Sequence, residues 1–295
     1  MKKINLMALR HSAFYSPYLM TMAGGHLSDA GLEANYVVQT PDNLVRDRLL
    51  DGKCDVSQSA VAAGFTALEN NSLDSIRHFA QINSRDGFFI ASRQPCNNFE
   101  WTDLVGRDVV IDHFFQPLAM LKYALYKKNI NIDSLNIIDA GDVAQIDSTF
   151  RNGTGDFVHQ QGPAPQQLEA DGLATVVASV GEAIGPVAFS SLCSTEAWLQ
   201  TDMAGAFYNA YKASLKQCKH DEAKNIAKQL HDYGFLVDTN FDVLCNTIST
   251  YQSLGCWNHN GQISKQEYQT LLDVFKYSNL ITDNHDYEKL VTTII

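Results

Sequence analysis

GDFVHQQGPAPQQLEADG (Gly155–Gly172), followed by LATVVASVGEAIGPVAFSS (Leu173–Ser191), is the stretch on which the rest of the chain is organised. Asp156 to His159 reads as a short strand, the loop after it stops at Gln160 and Gln161, and Pro163 opens a short helix, because proline presets the first helical turn and its missing N–H is not needed there. A second β-rich passage, Thr175 to Ser179, leads into a turn at Gly181, Gly185 and Pro186. The hydrogen-bonding side chains of His159, Gln160, Gln161 and Glu182 therefore fall at strand ends beside glycines and prolines. Open α/β sheets hold small ligands at such ends, where strand termini and helix N-termini present unpaired backbone groups to a crevice. Polar loops of no function carry the same residue types singly; the clustering is what points to a ligand.

On both sides of this stretch, apolar runs alternate with helical patterns. Ile4–Leu9 reads as a strand, Pro17 opens a helix to about Ala30, and Ala34–Gln39 is the next strand. A helix from Pro41-Asp42 through Leu50, a strand at Cys54–Ser57 and a small-residue helix at Ala60–Glu69 complete a series that predicts parallel strands with covering helices. Ser75–Asn83 and Gly87–Ser92 are two further strands joined by Ser84-Arg85-Asp86. DLVGRDVVID, a helix at Gln116–Lys128, LNIIDA, a helix at Val143–Phe150 and DFVHQ then predict a second sheet. From about Thr201 the pattern is helical, near 201–217, 220–232, 239–252 and 264–279. Such a tail is expected to pack back on the first lobe.

The 295 residues allow two lobes of about 150 residues each. A net charge of −11 with scattered lysines and arginines argues against a nucleic-acid partner, since phosphate binding needs a basic surface. No window approaches the roughly 18 apolar residues of a membrane span. The six cysteines form no CxxC pair, which fits free thiols and no zinc site. GxSxG, HExxH and the P-loop are all missing, and Gly153-Thr154-Gly155-Asp156 lacks a phosphate-binding lysine. No catalytic residue, cofactor or metal is expected from these motifs.

INLMALRHSAFYSPYLMTMAGGHLSDAGLEANYVV (Ile4–Val38), LLDGKCDVSQSAVAA (Leu49–Ala63) and DLVGRDVVIDHFFQPLAMLKYAL (Asp103–Leu125) resemble, in this order, passages of the SsuA/THI5-like (NMT1/THI5) family of solute-binding proteins. The resemblance covers essentially the whole chain. It implies an α/β, two-lobed type II periplasmic-binding-protein fold with a helical C-terminal tail packing on the first lobe. Residues 1–90 plus 186–295 would form lobe 1 and 91–185 lobe 2, with crossings near Phe88–Ser92 and Gly185–Ser190. It further implies a small-molecule ligand between lobes that hinge shut, and an ABC-type permease as partner. Thiamine-pyrimidine synthases, one branch of the family, hold pyridoxal phosphate on a lysine. That lysine aligns with Ser59 and the branch's reactive histidine with Ala63, while Gly185–Ser190 stands where that branch has cysteines. Serine cannot form the Schiff base.

The fold implied by the resemblance places several further residues near the ligand. His11, Phe14 and Tyr15 lie in the first strand-to-helix loop, where aromatic faces could stack on a planar ring. Ser57, Gln58 and Ser59 precede a helix and could combine hydroxyls with its N–H groups, although Ser59 serves equally as an N-cap. Arg85 and Asp86 form either a ligand clamp or a surface pair. His113 and Phe114 end a second-lobe strand, where Asp112 could equally cap the next helix. His159, Gln160 and Gln161 have the inventory to read a heterocycle's donor and acceptor edge. Glu182, if buried, needs an amino-bearing partner, which favours a neutral or amino-bearing ligand over nitrate or sulfonate. The leading expectation is a solute-binding protein holding a small polar, pyrimidine-like metabolite for ABC-type import. The alternative is a cytoplasmic enzyme on this fold, related to thiamine-pyrimidine synthesis. A cytoplasmic location follows if Met1 is the native start, and a periplasmic one if a leader has been removed.

Overall fold

The structure, a computed structural model, describes residues 1–294. Ten strands appear in chain order: β1 (Lys2–Ala8), β2 (Leu32–Val38), β3 (Val56–Ser59), β4 (Ile76–Asn83), β5 (Phe88–Ser92), β6 (Asp108–Ile111), β7 (Asn136–Asp139), β8 (Phe157–Gln161), β9 (Thr175–Ser179) and β10 (Ser190–Thr195). They form two five-stranded sheets, ordered β2-β1-β3-β10-β4 and β7-β6-β8-β5-β9. The expected parallel pairing holds for β1 with β2 and β3, and for β6 with β7 and β8. β10 and β5 run antiparallel to both of their neighbours. These two strands each follow a passage from the other sheet, so no βαβ crossover fixes their direction.

The first passage between sheets is Ser84–Gly87, and β5 lies wholly in the second sheet, paired with β8 and β9. The crossing expected near Phe88–Ser92 thus falls a few residues earlier. The return passes through a helix, Val180–Ile184, and the segment 185–189. Gly181 sits where this helix meets the first passage: a Cβ there would lie 2.3 Å from the Asp86 carbonyl oxygen.

The helix opened by Pro17 spans Ser16–Ala23 and is buried along nearly its whole length. It does not reach Ala30, because Gly24-Gly25 interrupts it, Gly25 standing at φ 78° before a short helix at His26–Asp29. The helix expected from Pro41 begins only at Val45, and β3 is displaced two residues toward the C-terminus of its expected position. The tail supplies helices Asp202–His220, Ala223–Tyr233, Phe241–Ser253 and Lys265–Tyr277. The first two pack on Ser16–Ala23 of the first lobe, as expected. The third also meets Ala164–Ala170 and the fourth meets Phe115–Lys127, so the tail touches both lobes. Tyr251 on the third helix donates its hydroxyl to the Gly87 carbonyl (3.0 Å), with the Gly162 carbonyl 3.4 Å away. All six cysteines are free. No helix among the described residues is long and apolar enough to cross a membrane.

Candidate functional site

The C-terminal ends of β1, β3, β6 and β8 converge between the two sheets, where the loops that follow them face one another. Gln58, buried at the end of β3, fixes the first loop: its Oε1 accepts from the N–H groups of Leu9 (2.9 Å) and Arg10 (3.1 Å). Arg10 then reaches across to the second sheet. Its guanidinium pairs with Asp112 Oδ2 at 3.0 Å and stands 5.1 Å from the Phe114 ring centroid and 5.9 Å from that of Phe88. Asp112, at the end of β6, also accepts from the Phe114 N–H. Beside this bridge, Ser12 Oγ donates to Gln161 Oε1 (3.0 Å), and Gln161 Nε2 lies 3.4 Å from the Tyr15 hydroxyl.

Arg10 and Gln161 divide the cleft in two. The larger compartment, about 490 Å³, takes its walls from His11 and Ser12 on the first loop, Val143 to Arg151 on one second-lobe helix, Gln160 to Gln167, and Asp238-Thr239 of the tail. The smaller, about 50 Å³, is aromatic and lies among Tyr15, Phe88, Phe114 and Phe189, with Gln58 and Ser59 at its edge. The pleat of β8 separates the roles of its side chains. His159 stacks on Phe88 with centroids 4.8 Å apart, whereas Gln160 points to the opposite face and lines the larger compartment.

Gln160 is 2% exposed, and neither its Oε1 nor its Nε2 has a hydrogen-bond partner among the described residues. A buried amide left unpaired costs about 1–3 kcal/mol, and native structures seldom keep one without use for it. His159 is fully buried with both ring nitrogens unpaired. Burial pushes its pKa down to about 4, so the ring is neutral near pH 7. His11 is held below its usual range by burial, with Nδ1 2.9 Å from the Tyr36 hydroxyl and its ring against Tyr36 and Phe235. The larger compartment's two guanidinium groups are both committed: Arg10 to Asp112, and Arg151 to Asp147 and Asp171. Asp238 adds a further carboxylate to the wall.

Several candidates stand elsewhere. Phe14 is core, packed on Tyr15, Phe189 and Tyr251, and it fills the space that a Cβ on Gly87 would need. Ser57 is fully buried within its sheet, its Oγ 3.0 Å from both the Met7 and Gln58 carbonyl oxygens. Arg85 donates to the Gly181 carbonyl and Asp86 accepts from the Phe88 N–H, so both brace the first passage and neither lines the cleft compartments. His113 turns toward Asp139 on β7 (3.4 Å). Glu182, expected in the cleft, is instead exposed on its short helix, its N–H capped by Ser179. It supports no argument about an amino-bearing ligand.

Sequence reasoning missed Arg10, Ser12, Asp238 and Thr239 and gave Asp112 only a capping role. Arg10 carried a readable signal, a lone base immediately after a strand and beside His11. Asp238 and Thr239 carried none, because they come from a linker between tail helices.

The NMT1/THI5-like family model matches residues 13–224. Among curated proteins, YtlA of Bacillus subtilis (strain 168), provisionally named a binding protein, is 24% identical over 293 residues, covering 98% of this chain and 87% of the relative. Three solved structures share the fold. The ligand-binding component of an ABC-type import system from Staphylococcus aureus, with zinc bound, superposes with a TM-score of 0.75 at 17% identity, over 99% of this chain and 97% of the other. The periplasmic aliphatic sulphonate binding protein SsuA of Escherichia coli gives 0.75 at 11% identity, over 100% and 93%. The alkanesulfonate-binding protein SsuA of Xanthomonas axonopodis pv. citri, bound to MOPS, gives 0.69 at 14% identity, over 96% and 95%.

Proposed function

Because the chain belongs to the NMT1/THI5-like family, we propose that it is the substrate-binding protein of an ABC-type import system, holding a small ligand in the cleft between its two sheets and handing it to a permease. The names of the S. aureus and Xanthomonas structures and of YtlA support this class. Such a receptor acts on the outer face of the membrane. Ser84–Gly87 and 185–189 are the segments about which its lobes close.

The ligand we infer is uncharged or amino-bearing, a pyrimidine-like heterocycle being the type that fits. The observation that carries this is Gln160, which lines the 490 Å³ compartment and whose buried amide has both its donor and its acceptor unpaired among the described residues. A heterocycle with adjacent acceptor and N–H groups pairs with both. The charge balance agrees: both guanidinium groups of the compartment already face carboxylates, so a sulfonate would meet no free cation and one extra carboxylate, Asp238.

A thermal-shift screen of pyrimidines, amines and alkanesulfonates tests the reading. A ligand at 100 times its Kd stabilises by about 2.7 kcal/mol, a shift of several degrees. The expected result is stabilisation by a pyrimidine without its consumption, lost in Gln160→Ala while the unliganded Tm stays level or rises. Stabilisation by a sulfonate alone would refute the ligand class. No response to any of the three classes would refute the receptor.

A further inference from the structure

The first sheet is covered unequally on its two faces. One face meets the long tail helices and the helix Ser16–Ala23; the other is covered thinly, by the six-residue helix Val45–Leu50, the turn and helix of Val61–Glu69, and Leu290 near the C-terminus. The apolar cluster there is small, consisting of Met7, Val45, Leu49, Cys54 and Cys193. The thin cover leaves a cavity of about 170 Å³, walled mainly by Leu9, Val45, Leu49, Leu73, Ile76 and Leu290.

One polar side chain of this wall is almost wholly buried. His78, 3% exposed, lies in β4 with Nδ1 2.8 Å from Ser191 Oγ. That is the ring's only hydrogen bond among the described residues, and Nε2 remains as the free polar atom of an imidazole that lines the cavity. Charges at the cavity are already spent, since Arg46 and Asp74 pair with each other at 2.9 Å. Burial also pushes the His78 pKa down to about 3, so the ring is neutral and adds no charge.

We propose that this cavity is a second ligand site, separate from the cleft, for a small uncharged aromatic or branched aliphatic molecule bearing a hydroxyl, a phenol being the type. An apolar cavity of about 150 Å³ accommodates benzene, so the volume fits one ring. The hydroxyl pairs with His78 Nε2, which accepts or donates according to the tautomer. A charged molecule finds no counter-ion. Leu9 and Ser59 line this cavity and the smaller cleft compartment alike, so an occupant sits directly behind the cleft wall.

The deciding experiment soaks crystals of the wild-type protein with 4-bromophenol and, in parallel, melts wild type and Ala67→Leu with phenol or benzenesulfonate. Ala67 lines the cavity, and leucine there fills it. The expected bromine peak lies between Leu49 and Leu73, with the phenol oxygen at hydrogen-bond distance from His78 Nε2. Phenol should raise the wild-type Tm by several degrees and leave that of Ala67→Leu unchanged, and benzenesulfonate should move neither. Absence of bromine from the cavity, bromine only in the cleft, equal stabilisation of the two proteins, or an equal response to benzenesulfonate would each overturn the proposal. The soak uses wild type, so it decides even if Ala67→Leu fails to fold.

Discussion

Asp86 sits in the first passage between the sheets, fully buried, with Oδ1 accepting the Phe88 N–H at 2.6 Å and Oδ2 unpaired among the described residues. Burial raises its pKa to about 7 against an ordinary value of 3.8, with the Phe88 hydrogen bond opposing and Asp112 adding to the rise. The unfolded chain releases this proton near pH 4 and the folded chain only near pH 7. Between those values the native state holds more protons, so the Asp86 contribution to stability falls as pH rises. About three pKa units at 1.36 kcal/mol each amount to about 4 kcal/mol lost between pH 4 and 7. The total curve does not show this directly. His159 and His259, both lowered to about 4, and His78, lowered to about 3, have depressed folded pKa values, chiefly through burial, and their contributions rise with pH up to about 6.5. Asp86→Asn isolates the carboxyl, because those histidines are common to both proteins. Urea unfolding of wild type and variant from pH 4 to 8.5, followed by circular dichroism and fluorescence, should give a stability difference that rises in the variant's favour. The slope should be about 1.4 kcal/mol per pH unit, levelling above pH 7. A difference constant to within about 1 kcal/mol over that range would refute the reasoning. It would mean that Asp86 ionises in the fold as it does in water.

Three further outcomes follow from the contacts between the lobes. Arg10→Met leaves Asp112, 5% exposed, without its cation; a loss of about 1–2 kcal/mol and a larger radius of gyration in X-ray scattering are expected, the part-exposed arginine keeping the cost below that of a fully buried pair. An unchanged radius and stability would show that the bridge holds nothing closed. Tyr251→Phe removes the hydroxyl that ties the tail to the Gly87 carbonyl and should cost about 1–2 kcal/mol in urea unfolding; a neutral result would mean that water replaces the hydroxyl freely. Gly181→Ala drives a Cβ to 2.3 Å from the Asp86 carbonyl oxygen, backbone against backbone, and should lower stability by about 1–3 kcal/mol. Wild-type stability there would show that the return helix shifts without resistance.

Much of the architecture is legible because apolar runs and turn residues act locally. The strand at Phe88–Ser92 and the four tail helices lie where the pattern places them, since period 2 and period 3.6 need no distant partner. Errors arise where geometry overrides pattern. Gly24-Gly25 ends a helix that composition alone would continue, and the antiparallel direction of β5 and β10, each arriving from the other sheet, has no local signal to be read from. The site divides in the same way. His11, Tyr15, Gln58, Ser59, Phe114, Gln160 and Gln161 line the cleft compartments. Ser57, one residue before Gln58, does not, because its hydroxyl is buried within the sheet against the Met7 and Gln58 carbonyl oxygens. Phe14 and Glu182 go astray for opposite reasons, one drawn into the core and the other left in solvent.

The sequence by itself determined two αβ series, a helical tail and a set of polar residues at strand ends, and with them the family. The elements depend on spacing along the chain, and the family resemblance rests on the passages Ile4–Val38, Leu49–Ala63 and Asp103–Leu125. Only the tertiary structure decided that Arg10 meets Asp112, 102 residues away, and that Gln160 keeps its amide free beside a cavity while Gln161 is tied to Ser12. Ion pairs across a cleft, the burial that sets a pKa and the shape of a cavity arise from which surfaces pack together. No local pattern encodes that.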